Sequence, residues 1–563
     1  MALGFDGLFL LHDGEAASGS PESVGFKAFN LQRMARLGVA VPPGFVIGTG
    51  WCGRLSIPGT GGDGQLPRMV EAGLAQLEAT SGLAFGHARR PLLVSVRSGA
   101  ARSMPGMMDT VLNVGLCDAT VRGLMRLHGN PRLAWDSYRR LVQGFGEVVE
   151  HIPTAVFDAA LRAEADLVGA ASAGELDFRA LRGVTQRFLE AFEEASGRPF
   201  PQSPTVQLEQ AVRAVFRSWW SDRARFYRAA NAIPDAPGTA VTVQQMVYGN
   251  GGGFSGAGVG FTRDPATGDA RLYLDFASCS QGEDVVAGRS LVSDRHEFER
   301  RMPEAHAAVY ATASLLEREF RDAQEFEFTI QDGHPFFLQT RSAKRTPLAA
   351  LRIAADMLDE GLITVAEAWD RVRDVDPASL EELRVVEPAG AIPVASAVSA
   401  SVGVAAGRAV FDPARAVALA ADGQPVILVR EDLSTSDIAA LQCSAGVLTA
   451  RGSRTSHAAV VARQLGKVCL VACERLVIQP SGNRATLGDR VVQEGDVLCL
   501  DSATGTVYAG QPRLARSTPE ALIERREAWR NAESDSAGVT VTETRPMGAD
   551  APSGRRPLPV EFP

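Results

Sequence analysis

The segment TPLAALRIAADMLDEGLITVAEAWDRVR, residues 346–373, does most to limit the fold. Apolar residues at helical spacing on both sides of Gly361 predict two helices with a break between them. The stretch that follows, EPAGAIPVASAVSASVGVAAG, is small and Pro-containing, as in a chain leaving one compact unit for another. At 563 residues the polypeptide is also too long for a single core. These features divide it into a first unit, 1–345, a helical connector, 346–389, a second unit, 390–510, and a C-terminal stretch, 511–563.

Each unit has its own pattern. Residues 1 to about 110 mix short β-rich runs with helices, and PLLVSVRSGA (91–100) predicts a buried strand entering a loop. Residues 117–232 read as a helical insert, as in AWDSYRRLVQGFGEVVEHI and FRALRGVTQRFLEAFEEASG. From residue 239 strands return, with TAVTVQQMVYG, GVGFTRDPATGDARLYLDFA and a hairpin, QEFEFTIQDGHPFFLQTR, turning at Asp332-Gly333. The first unit is therefore mixed α+β. The second has strands at PVILVR, AGVLTA, KVCLVA, DVLCLD and GTVYAG with helices between some of them, a β/α pattern. PEALIERREAWRNAES predicts one charged helix, and VTVTETRPMGADAPSGRRPLPVEFP a disordered tail.

A net charge of −9 gives no reason to expect a nucleic-acid or anionic-membrane surface, so a polyphosphate ligand would need a local cluster of Arg and Lys. No apolar run reaches membrane-spanning length, and MALGFDGLFLLHDGEAAS has no basic stretch ahead of its apolar residues. The seven cysteines are odd in number, scattered and without a CxxC pair, as expected of reduced thiols in a cytoplasmic protein.

Four stretches carry candidate chemistry. GNGGGFSGAGVGF (249–261), between two strands, could bring backbone N–H groups close to a phosphate chain; it lacks the GK[ST] ending of a Walker loop and reads equally as a flexible surface hairpin. In the hairpin, Glu325 and Glu327 share one strand face, and Gln339 and Arg341 return opposite them. Two hard oxygen ligands beside a cation suit Mg²⁺–polyphosphate, although a plain cross-strand Glu/Arg pair fits too. SVRSGAARSMPGMMDT (95–110) places Arg97 and Arg102 in a loop after a buried strand, where guanidinium groups can grip phosphate. Met107 and Met108 read as packing residues.

The fourth stretch is GSRTSHAAVVARQLGK (452–467). Thr455 and Ser456 are N-cap residues, Ala458 to Leu465 suit a helix, and Gly466 stops it. His457, one of only eight histidines, thus stands at a helix start, where backbone N–H groups and the dipole favour an anion. A phosphohistidine and a simple capping histidine both satisfy that position.

Several stretches together resemble the pyruvate, phosphate dikinase family and, more distantly, phosphoenolpyruvate synthase: LLVSVRSGAARSMPGMMDTVLNVGL, DSYRRLVQGF, GFTRDPATG, QGEDVVAG, FFLQTRSAKRT and VLTARGSRTSHAAVVARQLGK. The likeness runs over about residues 20–510. It implies an ATP-grasp-like nucleotide-binding domain followed by a swivelling phosphohistidine domain. ATP would phosphorylate His457 through its β-phosphoryl group, AMP would leave, and inorganic phosphate would take the γ-phosphoryl group. By the same resemblance Lys27, Arg97 and Arg341 neutralise phosphates, Glu327 and Gln339 hold Mg²⁺, and Gly251, Gly252, Gly253, Ser255 and Gly256 cover the triphosphate. The implied enzyme is an ATP-dependent phosphotransferase, compatible with a homodimer. In-line phosphoryl transfer needs positioning and charge neutralisation more than covalent help, which suits these parts.

The sequence also departs from the family. GGKGANL becomes GFKAFNL around Lys27, Ala257 stands where Thr is usual, and Arg454 replaces Met three residues before His457. Thr455 matches a position that some members phosphorylate for regulation. Family members continue into a C-terminal (β/α)₈ barrel that binds pyruvate or phosphoenolpyruvate, and no such pattern follows residue 510. The expectation is that the phosphoryl group goes to pyruvate on a separate barrel protein. The alternatives are another small-molecule acceptor, as in antibiotic and phenol phosphotransferases, and a phosphohistidine relay.

Overall fold

The computed structural model describes residues 5–12, 19–56, 64–102, 104, 107–170, 173–236, 238–286, 295–380, 382–388, 390–401, 403–433, 437–452, 454, 457–479 and 482–538. The first unit is built on two antiparallel sheets. One has five strands, β1 (Leu8–Leu10), β2 (Gly44–Ile47), β3 (Val94–Ala100), β4 (Thr110–Val114) and β5 (Thr239–Gln245), in the order β1-β2-β5-β3-β4. The other has four, β6 (Gly256–Phe261), β7 (Tyr273–Ser278), β8 (Gln324–Gln331) and β9 (His334–Ser342), in the order β9-β8-β6-β7.

Period-2 alternation assigns the faces of the five-stranded sheet. Val94, Val96, Val241 and Val243 enter one core with Tyr138, Leu141 and Phe145 of the helical insert, whereas Ser95, Arg97, Thr242 and Gln244 turn the other way. The insert is helical as the sequence predicts, from Val121–His128 to Asp222–Ala230. Helix α1 (Pro21–Arg36) connects the two sheets. Its Val24, Ala28, Leu31 and Met34 share a core with Phe326, Phe328 and Ile330 of β8, and Asn30 donates to the Thr340 carbonyl at 2.9 Å.

Gly25, next to Lys27 but one, has φ +77°, and a Cβ there would stand 1.9 Å from the Gly99 carbonyl oxygen. Only glycine permits that approach. The two glycines missing from the family wording lie at 26 and 28, so the one that this backbone requires is retained.

The connector folds as two helices, Pro347–Asp359 and Val365–Val372, with Gly361 at φ +70° between them. The second unit is built on an eight-stranded sheet, whose parallel centre comprises Val404–Val410, Val426–Arg430, Gly446–Thr449 and Val468–Val471, with a small three-stranded sheet, Leu476–Ile478, Arg484–Leu487 and Arg490–Gln493, beside it. Val426 and Leu428 face the helices on one side, while Ile427 and Val429 enter the core on the other. Glu382–Glu387, entering this unit, pairs antiparallel with Arg513–Ser517, leaving it. The charged helix at Glu520–Gly538 then packs on the connector, with Trp529 in its core and Arg525 on Asp359 at 2.7 and 2.9 Å. The stretch read as a disordered tail, 539–563, lies outside the described residues.

No helix among the described residues is long and apolar enough to cross a membrane. All seven cysteines are free, five buried and two, Cys279 and Cys443, exposed.

Candidate functional site

A cleft of about 260 Å³ opens between the two sheets. Ser95, Arg97, Gln244, Glu327 and Thr329 give it polar walls, and Leu112, Met246, Val247 and Leu338 an apolar one. Ser95 and Thr329 follow from alternation, each two residues from a predicted site residue. The apolar members carry no comparable signal, because nothing local in the sequence brings β4 against β9.

The hairpin forms at the expected turn, with a bulge between Glu327 and Phe328 that shifts its register by one residue. Asp332 (φ +51°) and Gly333 (φ +83°) make the turn, Glu325 pairs with Arg341, and Glu327 pairs with Gln339. Glu325 accepts from Arg341 at 2.5 Å, while its other oxygen, Oε2, is buried without a hydrogen-bond partner. Antiparallel pairing carries the same rows across the sheet. Glu325 also faces Phe261 and then Tyr273; Glu327 faces Val259 and then Asp275.

Arg97 reaches this face from the other sheet. Its Nη2 donates to Glu327 Oε2 at 3.4 Å and its Nη1 to the Leu338 carbonyl at 3.4 Å. Lys27 is half-buried on α1 among these charges. Burial and the Arg97 and Arg341 guanidiniums push its ammonium down to about 7, against the opposing pull of Glu327. Five predicted residues, Lys27, Arg97, Glu327, Gln339 and Arg341, thus come together: three cationic side chains, one carboxylate and one amide.

The glycine-rich stretch differs from expectation. It is not a hairpin loop, because β5 and β6 belong to different sheets and residues 246–255 cross between them. Gly256, Gly258 and Gly260 make room for aromatic rings: added Cβ atoms would fall 2.2, 2.5 and 2.3 Å from Phe276, Phe328 and Phe326. Ser255 is fully buried, and its hydroxyl accepts from the Asp332 amide at 3.1 Å. Ser255 and Gly256 therefore serve packing and the hairpin turn, not a phosphate. Gly252 and Gly253 border open space, and an added Cβ at Gly251 would meet nothing closer than 3.4 Å, which keeps these three free for a ligand.

Two of the resembling motifs are structural partners. Arg140 of DSYRR bonds Asp136 at 2.9 Å, and across the chain Glu283 at 2.5 Å and Asp284 at 2.8 Å in QGEDV, beside the cleft. Burial raises the Asp136 carboxyl, and Arg139 and Arg140 more than reverse it, leaving it below its ordinary range. Arg263 of GFTRDPATG, 3% exposed at its side chain, ties Glu317 at 2.8 Å to Glu360 at 2.6 Å in the connector. Sequence reasoning assigned none of these roles. Arg102 is exposed, and Met107 and Met108 pack on the large core as predicted.

His457 begins the helix His457–Gln464, and Gly466 ends it with φ +63°. The proposed caps Thr455 and Ser456 lie outside the described residues.

Two segments of the chain match models of known domains. Residues 62–301 match the AMP/ATP-binding domain of pyruvate phosphate dikinase, and residues 422–505 the mobile domain of PEP-utilising enzymes. The chain is 41% identical over 557 residues to the pyruvate, phosphate dikinase of Rhizobium meliloti (strain 1021), covering 96% of this chain and 61% of the relative. For the Clostridium symbiosum enzyme the identity is 41% over 513 residues, 90% of this chain and 58% of the relative. For the chloroplastic pyruvate, phosphate dikinase 1 of Arabidopsis thaliana it is 40% over 523 residues, 92% and 54%. The chain thus spans little more than half the length of these relatives.

Proposed function

As a chain that belongs to the pyruvate, phosphate dikinase family over the two domains matched, this protein, we propose, uses ATP to phosphorylate its own His457 and passes that group to pyruvate. The observation that supports the reading is the grouping of Lys27, Arg97 and Arg341 with Glu327 and Gln339, of which Arg97 and Glu327 line the cleft. The nucleotide unit, 1–345, is ATP-grasp-like in this reading. ATP lies between the sheets, its base against Leu112, Met246, Val247 and Leu338. Its phosphates take the three cationic side chains, and Gly251 to Gly253 supply backbone amides.

Mg²⁺ suits this end of the cleft. Glu327 and Gln339 offer hard oxygens from directly paired positions, next to the unpartnered Oε2 of Glu325. When bound, the ion would neutralise phosphate charge. Arg97, now on Glu327, would turn to a phosphate oxygen, and Lys27 would accept a proton as negative charge arrives.

His457 is the nucleophile. A ring nitrogen attacks the β-phosphorus, a P–N bond forms as the bond to the α-phosphate's bridging oxygen breaks, and AMP leaves. The γ-phosphoryl group goes to inorganic phosphate as pyrophosphate. The domain then swings about the paired linkers 382–387 and 513–517, and the enol oxygen of pyruvate takes the phosphoryl group to give phosphoenolpyruvate. A cytoplasmic setting accords with seven unpaired cysteines.

The test is incubation with Mg²⁺ and ATP labelled at the β-phosphate, with and without inorganic phosphate, alongside His457→Ala. Acid-labile label on the wild type alone, with AMP formed, is the expected result. No label in either condition overturns the reading.

A further inference from the structure

Two arginines of the His457 domain rest on the nucleotide unit. Arg454 Cζ lies 4.8 Å from the centroid of the Tyr273 ring, and Arg463 Cζ lies 5.3 Å from that of Phe261. Tyr273 and Phe261 are direct cross-strand partners on β7 and β6, with ring centroids 6.0 Å apart. Phe261 also faces Glu325, which faces Arg341. The aromatic pair that receives the mobile domain therefore lies in the same cross-strand row as the phosphate-site residues.

The two arginines have different surroundings. Arg463 is 1% exposed; its Nε donates to the Ala400 carbonyl at 2.9 Å, and its Nη2 donates to the Arg454 carbonyl. It is thus committed to holding the loop that carries Arg454. Arg454 is half-buried, and its Nε is enclosed without a hydrogen-bond partner. Burial pushes its guanidinium down; the nearby Asp264 opposes this, while Arg271 and Arg463 add to it. Asp264 is already occupied, by Arg271 at 3.2 Å and by the amides of Ala266 and Thr267 at 2.9 and 3.2 Å. Among the described residues, the desolvated Arg454 cation meets the π face of Tyr273.

From this geometry we infer that Arg454 is a positioning residue: its stacking on Tyr273 latches the His457 domain against the nucleotide unit, in the pose from which His457 meets ATP. Arg454 stands three residues before the helix that His457 begins, so the latch fixes the approach of that helix and does no chemistry itself. A cation on an aromatic face is strong enough to bias the two-state swing without locking it. The rate consequence rests on the reading of His457 as phosphoacceptor; the docking consequence does not.

The exposed Cys279 on the nucleotide unit and Cys443 on the His457 domain accept a donor and an acceptor dye on the otherwise unaltered chain. Energy transfer then reports docking, and labelled ATP reports phosphorylation of His457. Arg454→Met should lower the docked-to-undocked ratio and the phosphorylation rate together by roughly three- to ten-fold, with ATP affinity unchanged. Tyr273→Leu should do the same, and the double variant should be no worse than either single one. Arg454→Lys, which keeps a cation, should recover much of the loss. Wild-type energy transfer in Arg454→Met, or effects of the two single variants that simply add, would overturn the latch. If no form of the protein takes label, the dikinase reading fails, and the dye measurement still decides this one.

Discussion

Arg97 and Glu327 are 230 residues apart and on different sheets, yet their side chains meet at 3.4 Å. The pair spans the cleft and joins the phosphate-binding and metal-binding halves of the proposed site. An attractive contact at this distance keeps Arg97 extended over the position that a phosphate would occupy. Glu327→Gln removes a hard anionic ligand without changing the shape. His457 phosphorylation should fall on the order of 100-fold at fixed Mg²⁺, because the phosphates lose their alignment. Raising Mg²⁺ should recover part of the rate. A variant that labels at the wild-type rate would remove Glu327 from the metal site.

Lys27 predicts a proton linkage whose sign is fixed. Its ammonium is held near 7, well below an ordinary lysine, so at pH 8 it is mostly neutral. Polyphosphate favours the charged form and raises that value, so binding at pH 8 should take up about one proton. At pH 5.5 the group is already charged and contributes no uptake, and affinity should decline as pH rises above 7. Calorimetry in two buffers of different ionisation enthalpy measures the uptake directly. Lys27→Met should abolish it; a buffer-dependent heat that survives in this variant would assign the proton to another group.

The hairpin was legible because its signals are local. A DG turn and period-2 carboxylates put Glu325, Glu327, Gln339 and Arg341 on facing strands, but counting from the turn would pair Glu325 with Thr340 and Glu327 with Leu338; a bulge between Glu327 and Phe328 moves the pairing on by one residue. The glycine-rich stretch was misread for the converse reason. Seven glycines in thirteen residues look like a phosphate loop, but whether β6 pairs with β5 or joins another sheet depends on partners far along the chain. The aromatic rings that require Gly256, Gly258 and Gly260 lie at 276, 328 and 326, beyond any local pattern. The C-terminal helix was found as a helix but not as part of the connector, since its charged surface hides the few apolar residues, Leu522, Ile523 and Trp529, that dock it.

Gly258 and Gly252 should therefore respond differently to the same substitution. An alanine methyl at 258 would stand 2.5 Å from the Phe328 ring and 2.7 Å from the Asp275 carbonyl, in a strand paired on both sides. Gly258→Ala should cost roughly 1–3 kcal/mol, read as a lower midpoint in urea. Gly252→Ala meets open space and should shift stability by no more than about 0.5 kcal/mol. Any effect of Gly252→Ala belongs in nucleotide binding, where a stiffer loop would close less readily. Equal loss of stability in both variants would refute the division of this stretch into a packed strand and a free loop.

Trp529 offers a separate test of how the mobile unit is anchored. It is 5% exposed in the core formed by Leu348, Leu351, Ala355 and Val372 of the connector, although it lies 157 positions beyond Val372. The return passes through the paired strands Glu382–Glu387 and Arg513–Ser517, so both ends of the His457 domain are fixed at one place. Motion about one fixed ribbon is a hinge; if the C-terminal helix were released, one linker would become a loose tether. Trp529→Ala should leave a cavity and destabilise the connector by about 3–5 kcal/mol. Hydrogen exchange should show the loss in Pro347–Asp359 and Val365–Val372, with the parallel strands of the His457 domain still protected, because their core shares no residue with Trp529. Exchange that instead rises uniformly through both units would mean that they unfold as one, and that the ribbon couples them too tightly to act as a hinge.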